Sequence, residues 1–218
     1  GKYYFKEIAT LDQYVISDEK VYFEVKDEGA IIEEKVINEF VEGTLEFTKT
    51  DLITGEAIPN TLIEVYTEKD ELVFSGKTDE NGKIVIKELA IGKYYIVEEN
   101  PIEGYVSSDE KVLFEIKENG EVVKAEMTNK KITSTLKVTK NDEDETLLSG
   151  IKFGVYNLED KLISEHTTDE NGYFEVVLEY GKYYFKEIST LDSYVLNDEK
   201  VHFEVKEEGA VIEKLMTN

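Results

Sequence analysis

The sequence predicts an all-β protein that is built as a tandem array of small antiparallel β-sandwich domains. Apolar residues alternate with polar ones over stretches of about four to eight residues, which is the period of a strand with one buried face. No segment shows a convincing helical period. A unit of about 90 residues also recurs along the chain, and a unit of that length with about seven short strands is typical of a sandwich.

The recurring unit gives the expected domain boundaries. The segment Gly1–Ala30 returns almost unchanged as Gly181–Ala210, and more loosely from Gly92. The other half of the unit begins at Gly43 and returns from Ser134. If each repeat is counted from the half that begins at Gly43, the chain holds the second half of one repeat and then two complete repeats. The expected bounds are 1–42, 43–131 and 132–218.

Within a complete repeat, the alternation predicts about seven strands separated by turns rich in Asp, Asn, Gly and Glu. In the middle repeat the strands are expected near residues 43–50, 61–67, 71–76, 83–88, 92–99, 110–117 and 121–129. The pairs Asn81-Gly82 and Asn171-Gly172 are expected to form hairpin turns, because Asn-Gly is favoured where two-residue turns need positive φ angles.

The charge and composition exclude several classes of function. The formal net charge is −24, from 49 acidic residues against 25 basic ones, so nucleic acid and anionic membranes would repel the chain. No apolar stretch is long enough for a membrane span, and we expect no membrane insertion in this fragment. The sequence contains no cysteine, which excludes disulfides and thiolate metal sites.

Other polar features are interpreted as surface structure. The acidic run 141–145 lacks the spaced ligands and the glycine of an EF-hand, so a solvated turn is favoured over a calcium site. His166 and His202 have no serine or cysteine pattern beside them and are expected on strand surfaces. We therefore expect no cofactor and no metal.

Three polar residues per complete repeat fall on the apolar face of a strand. The period of two aligns Lys49 with Leu45 and Phe47, and it aligns Lys140 with its own apolar neighbours in the same way. It also places a glutamate inward on the Gly-Lys-Tyr-Tyr strand and an asparagine inward at the end of the last strand. These inward residues are Glu98 and Asn129 in the middle repeat, and Glu187 and Asn218 in the last repeat.

A buried lysine and a buried glutamate are each costly unless they are paired or neutral. One interpretation is an ordinary buried ion pair, with the asparagine satisfying turn backbone. The other is an intramolecular amide bond, because burial lowers the pKa of a lysine and raises that of a glutamate, which favours a neutral amine beside a neutral acid. The amine would then attack the asparagine carboxamide while the acid moves protons. Each domain would react once, on itself, so we do not expect a turnover enzyme.

These residues and motifs resemble the Cna B-type, or SpaA-like, domains of Gram-positive surface adhesins and pilins. The resemblance covers the whole chain and rests on a Lys-x-Asp motif, a Gly-x-Tyr-Tyr-x-x-Glu strand, a Pro-x-x-Gly-Tyr loop and a terminal Thr-Asn. In this sequence these are Lys49 to Asp51 and Lys140 to Asp142, the strands that end at Glu98 and Glu187, Pro101 to Tyr105, Thr128-Asn129 and Thr217-Asn218. The resemblance implies a prealbumin-like β-sandwich in which Lys49 bonds to Asn129 and Lys140 to Asn218, with Glu98 and Glu187 as catalysts.

The half repeat departs from this pattern. It carries Glu7 and Asn38, but no lysine-bearing first strand, and like the last repeat it has Thr-Leu-Asp where the loop motif would begin. Either the protein continues upstream or a neighbouring chain supplies the missing half. As a hypothesis, 1–38 could displace the similar segment 181–218 in another copy and link chains head to tail.

The function predicted from these features is a stalk segment of an extracellular protein attached to the cell wall, with its signal peptide and anchor outside this fragment. The equal spacing from Asn38 to Lys49 and from Asn129 to Lys140 predicts a semi-rigid array. Two alternatives stay open: an adhesin module that binds a host or matrix ligand, and a pilin-type subunit that links to other chains. The expected partners are the neighbouring repeats, and further copies of the protein or a host ligand under the alternatives.

Overall fold

A computed structural model describes all residues from Gly1 to Asn218, and its regular elements are all β-strands. The strands are β1 (Lys2–Phe5), β2 (Val21–Glu24), β3 (Glu42–Asp51), β4 (Leu62–Thr67), β5 (Leu72–Lys77), β6 (Lys83–Ala90), β7 (Gly92–Asn100), β8 (Val112–Ile116), β9 (Val122–Asn129), β10 (Thr133–Asn141), β11 (Lys152–Asn157), β12 (Leu162–Thr167), β13 (Tyr173–Glu179), β14 (Gly181–Ser189), β15 (Val201–Val205) and β16 (Val211–Thr217). The seven strands β3–β9 lie within two residues of the predicted bounds. A helix that could span a membrane is not found in the structure.

Strands β3–β9 form two sheets, in the orders β6-β3-β9 and β5-β4-β7-β8. Alternate residues of both sheets point into one apolar core, as the period of two requires. Leu45 and Phe47 enter this core from the first sheet, and Ile63 and Ile96 enter it from the second. Two sheets that enclose one core are a β-sandwich, so the predicted fold class is confirmed.

Strands β10–β16 repeat this arrangement in the orders β13-β10-β16 and β12-β11-β14-β15. Phe153 and Phe185 are fully buried in the second core and their ring centroids are 5.9 Å apart. The neighbours β10 and β16 run parallel, whereas the other strand pairs of these two sheets are antiparallel. Because the first and last strands point the same way, their carboxyl ends lie side by side.

Residues 1–42 contribute a two-stranded hairpin, β1–β2, with the register of β14–β15. Tyr3 pairs with Phe23 as Tyr183 pairs with Phe203. The side chains differ in burial, because Phe5 is 40% exposed whereas its counterpart Phe185 is 0% exposed. The hairpin thus presents an apolar face that is covered in the last repeat.

The chain divides into two compact units, one of Gly1–Asn100 with Ser108–Thr128, and one of Pro101–Ser107 with Asn129–Asn218. The loop 101–107 falls in the second unit because its backbone pairs with the segment after β9. The N–H of Val106 donates to the carbonyl of Lys130, and the N–H of Ile132 donates to the carbonyl of Gly104, both at 2.8 Å.

The Asn-Gly pairs form tight turns, but the hairpins predicted there are wrong. The turn at Gly82 joins β5 to β6, and the turn at Gly172 joins β12 to β13, so each connects one sheet of a sandwich to the other. Both glycines have positive φ, 70° and 71°. The reason lies in the carbonyls of these glycines, which accept the backbone N–H groups of Lys49 and Lys140 at 2.7 and 2.8 Å. The turns therefore hold the lysine strands instead of closing hairpins.

Candidate functional site

The lysine of each complete repeat lies near the end of the first strand of its sandwich. Along β10, buried residues alternate with half-buried ones, and Lys140 occupies the inward position after Leu136 and Val138. Its side chain is 0% exposed, as is that of Lys49 in β3. A lysine is almost never fully buried unless its amine is paired with another group. The side chains around the two amines are therefore described next.

Glu187 reaches the amine of Lys140 from the opposite sheet. The distance from Nζ of Lys140 to Oε2 of Glu187 is 3.5 Å, and both side chains are 0% exposed. Glu187 lies opposite Phe153 in the β11–β14 register, beside a β-bulge, and so faces the apolar core. Neither of its carboxylate oxygens accepts a hydrogen bond. The ion pair with Lys140 is therefore the main polar contact of this carboxyl group.

Asn218 completes the cluster from the strand beside β10. In the parallel register, Lys140 pairs with Met216 and Asn141 with Thr217, so the next residue lies at the lysine end of β10. The N–H of Asn218 donates to the carbonyl of Asn141 at 3.0 Å. The Nζ of Lys140 donates to Oδ1 of Asn218 at 2.5 Å. An amine, a carboxyl group and a carboxamide thus meet at one end of the sandwich.

The surroundings of the cluster make the charged form of each lysine amine less favourable than it is in water. Burial lowers the pKa of Lys140 from its ordinary value, and the nearby Glu187 charge opposes that shift without cancelling it. The pKa of Lys49 is lowered in the same way, with Glu98 as the main opposing charge. Because only the neutral amine is a nucleophile, a lowered pKa brings each lysine closer to a form that could attack a carbonyl carbon.

The middle repeat places its own residues at the corresponding positions. The distance from Nζ of Lys49 to Oε2 of Glu98 is 3.6 Å, and both side chains are 0% exposed. Glu98 lies opposite Ile63, again beside a bulge. Asn129 is buried and is the last residue of β9, the strand that borders β3 in its sheet.

The half repeat brings Glu7 and Asn38 together. The Nδ2 of Asn38 donates to Oε1 and Oε2 of Glu7 at 2.7 and 2.9 Å, and to Oγ1 of Thr10 at 2.9 Å. The backbone N–H of Ser17 also donates to Glu7. The hydrogen bond from Ser17 has the largest effect on the pKa of Glu7 and lowers it, and the hydrogen bonds from Asn38 lower it further. A lysine-bearing strand equivalent to β10 would meet these two side chains.

Two residues of the last repeat that the sequence did not indicate as site residues, Thr190 and Tyr194, lie in the loop after β14. The hydroxyl of Tyr194 donates to Oδ2 of Asp142 at 3.0 Å, which ties this loop to the end of the lysine strand. Oδ1 of Asp142 accepts the N–H groups of Asp144 and Thr146. Oγ1 of Thr190 accepts a hydrogen bond from Nδ2 of Asn218 at 3.2 Å. The acidic run 141–145 is thus a turn organised by Asp142.

The two histidines lie away from these clusters. The ring of His166 stacks on Phe174, with centroids 5.0 Å apart, and burial lowers its pKa. His202 is exposed on β15, where its ring lies near that of Tyr184. The contacts of the two histidines are with Ser164, Phe174 and Tyr184, and none of these residues belongs to the clusters.

One family model matches the chain at two places. The model of the SpaA prealbumin-like fold domain matches residues 43–131 and 134–218. No curated protein sequence matches the chain.

Among solved structures, the chain is similar to the Bacillus anthracis TIE protein, with 40% sequence identity and a TM-score of 0.90. That match covers 100% of this chain and 41% of the other, so this chain spans about two fifths of its length. A C-terminal fragment of the pilus adhesin SpaC from Lactobacillus rhamnosus GG is similar with a TM-score of 0.54 and 14% identity, over 76% of this chain and 82% of that one. The second likeness shows the fold alone. The two family matches and the relative at 40% identity together establish that this chain belongs to the family of SpaA prealbumin-like fold domains.

Proposed function

We propose that this chain is a structural stalk segment of a Gram-positive bacterial surface protein, in which each complete repeat closes an isopeptide bond between its own lysine and asparagine. The single observation that carries the proposal is the cluster in which the buried Lys140 and Glu187 meet the half-buried Asn218. Burial of a lysine amine in a protein core costs stability. A lysine at the same core position of both complete repeats therefore suggests a function for it. An amine that touches a carboxamide, with a carboxyl group beside the amine, has a direct chemical use.

The proposed reaction expels one ammonia molecule and needs no cofactor. The neutral Nζ of Lys140 adds to Cγ of Asn218, and the bond from Cγ to Nδ2 then breaks. Glu187 accepts a proton from Nζ and delivers a proton to the departing Nδ2, so it ends in its starting state. The product is an amide that joins Nζ to Cγ. Because the lysine and the asparagine are consumed, each repeat reacts once.

The position of the bond suits a protein under tension. The bond would link the end of β10 to the end of β16, the first and last strands of the sandwich. A pulling force that enters through β10 and leaves after β16 would then pass through a covalent amide, and the strands between would carry no load. An amide of this kind also needs no oxidising compartment, which suits a chain that contains no cysteine.

Family membership supports the location. The SpaA prealbumin-like fold domain matches both complete repeats, and a role at the bacterial surface is consistent with that family. The strongly acidic composition favours high solubility. We infer an extracellular location from these features.

Stretching single molecules of the 218-residue chain by their ends tests the mechanical role. In the wild type, the residues between Lys140 and Asn218 should never add to the extended length, because the bond bypasses them. The variant Lys140→Ala should gain an unfolding step of roughly 260–280 Å, the contour length of the released segment. Lys137→Ala is the matched control, since Lys137 lies in the same strand but makes a surface ion pair with Glu175. An unfolding step of that length in the wild type would refute the role.

A further inference from the structure

The hydroxyl group of Thr190 lies at the atom that the proposed reaction expels. Oγ1 of Thr190 accepts a hydrogen bond from Nδ2 of Asn218 at 3.2 Å, while Oδ1 of the same amide accepts one from Nζ of Lys140. These two contacts fix which way the amide faces. A rotation of the amide by half a turn would set its N–H groups against the lysine amine and would break both hydrogen bonds.

The half repeat shows the same contact independently. Oγ1 of Thr10 accepts a hydrogen bond from Nδ2 of Asn38 at 2.9 Å, and this nitrogen also donates to both carboxylate oxygens of Glu7. One amide nitrogen can therefore touch the threonine and the acid at once. The asparagine and the threonine are 28 residues apart in both copies, so the same pair of positions makes this hydrogen bond in each.

The middle repeat differs at this position. Pro101 occupies the place of Thr190 and Thr10, because it follows the glutamate Glu98 by the same three residues. Proline has no hydroxyl group and cannot make this contact. The chain thus contains two kinds of site, with and without a hydroxyl group at the leaving nitrogen.

We propose that Thr190, and Thr10 in the half repeat, is a further residue of the crosslinking site, which holds the leaving nitrogen of the asparagine and speeds closure of the bond. This inference rests on the proposed function. When Nζ of Lys140 adds to Cγ, Nδ2 changes from a planar amide nitrogen to a basic amine nitrogen. The hydrogen bond to Thr190 anchors one N–H of that amine, so that its new lone pair faces Glu187. Glu187 then delivers the proton with which ammonia departs, and Thr190 loses and gains no atom.

The test measures how fast each bond closes in newly made full-length chain. Protein from a short pulse of cell-free synthesis is quenched in acid at intervals, and mass spectrometry of its peptides follows the Lys140–Asn218 and Lys49–Asn129 links separately. Thr190→Val should slow closure of the Lys140–Asn218 link roughly tenfold, the rate equivalent of one neutral hydrogen bond. Thr190→Ser should restore the rate. The Lys49–Asn129 link in the same molecule should close at an unchanged rate.

A second variant separates this role from a folding defect. Thr190→Ala removes the hydroxyl group without adding bulk, and it should slow closure by the same factor while the near-ultraviolet circular dichroism stays native. Closure at the wild-type rate in both Thr190→Val and Thr190→Ala would overturn the inference and leave the proposed function intact. Absence of both links from the wild-type protein would overturn the proposed function, and this inference with it.

Discussion

Glu187→Ala will leave Lys140 and Asn218 unlinked, although the last repeat still folds. General acid–base catalysis of this kind contributes roughly 10²–10⁴-fold to a rate, and without it the attack of an amine on a carboxamide is too slow to complete during folding. The peptide that joins Lys140 to Asn218 should therefore be missing from digests of the variant, and each side chain should be found in its own unmodified peptide.

Two controls sharpen this result. Glu187→Gln keeps the shape of the side chain but cannot transfer protons as a carboxyl group does, so it should fail in the same way. The middle repeat of the same molecule retains Glu98 and should form its link in full. If the Lys140–Asn218 link formed normally in Glu187→Ala, the role assigned to this carboxyl group would be wrong.

Lys140→Met will produce the largest loss of stability. The crosslink should contribute about 4–5 kcal/mol, by analogy with a disulfide that closes a loop of similar length, and the buried carboxyl group of Glu187, left without the amide N–H of the closed bond, costs a further 1–3 kcal/mol, roughly. Urea unfolding of the last repeat, followed at neutral pH, should show a combined loss of about 5–8 kcal/mol.

A second substitution separates the two contributions. In the double variant Lys140→Met/Glu187→Leu no unpartnered carboxyl group stays buried, so roughly the second contribution should return while the crosslink stays absent. Lys137→Ala again serves as the surface control and should change stability by less than about 0.5 kcal/mol. Equal urea midpoints for wild type and Lys140→Met would show that neither contribution exists.

Much of the fold follows from period-two alternation. The face of a strand on which each residue lies is fixed by that period, so the inward placement of Lys140 beside Leu136 and Val138 could be predicted without knowing which strands are neighbours. The repeat then predicted that the same inward positions recur in each unit. These arguments concern residues within one strand, where sequence separation and geometry are directly related.

Pairing between strands and the path of loops could not be obtained in this way. Alternation does not reveal that β10 and β16 are parallel neighbours, although this pairing brings Asn218 to Lys140. Nor does the Asn-Gly signal reveal that Gly172 turns the chain from one sheet to the other, because that depends on its hydrogen bond to the lysine strand. Thr190 and Tyr194 lie on a loop without periodicity, so their contacts with Asn218 and Asp142 are visible only in three dimensions.

The intact mass of the denatured wild-type chain tests the central claim most directly. Two closed bonds predict a mass below that calculated from the sequence by two ammonia molecules, and the double variant Glu98→Ala/Glu187→Ala should have its full calculated mass. A wild-type chain at the full calculated mass would contradict the account, because Lys49 and Lys140 would then be no more than the cationic halves of two buried ion pairs.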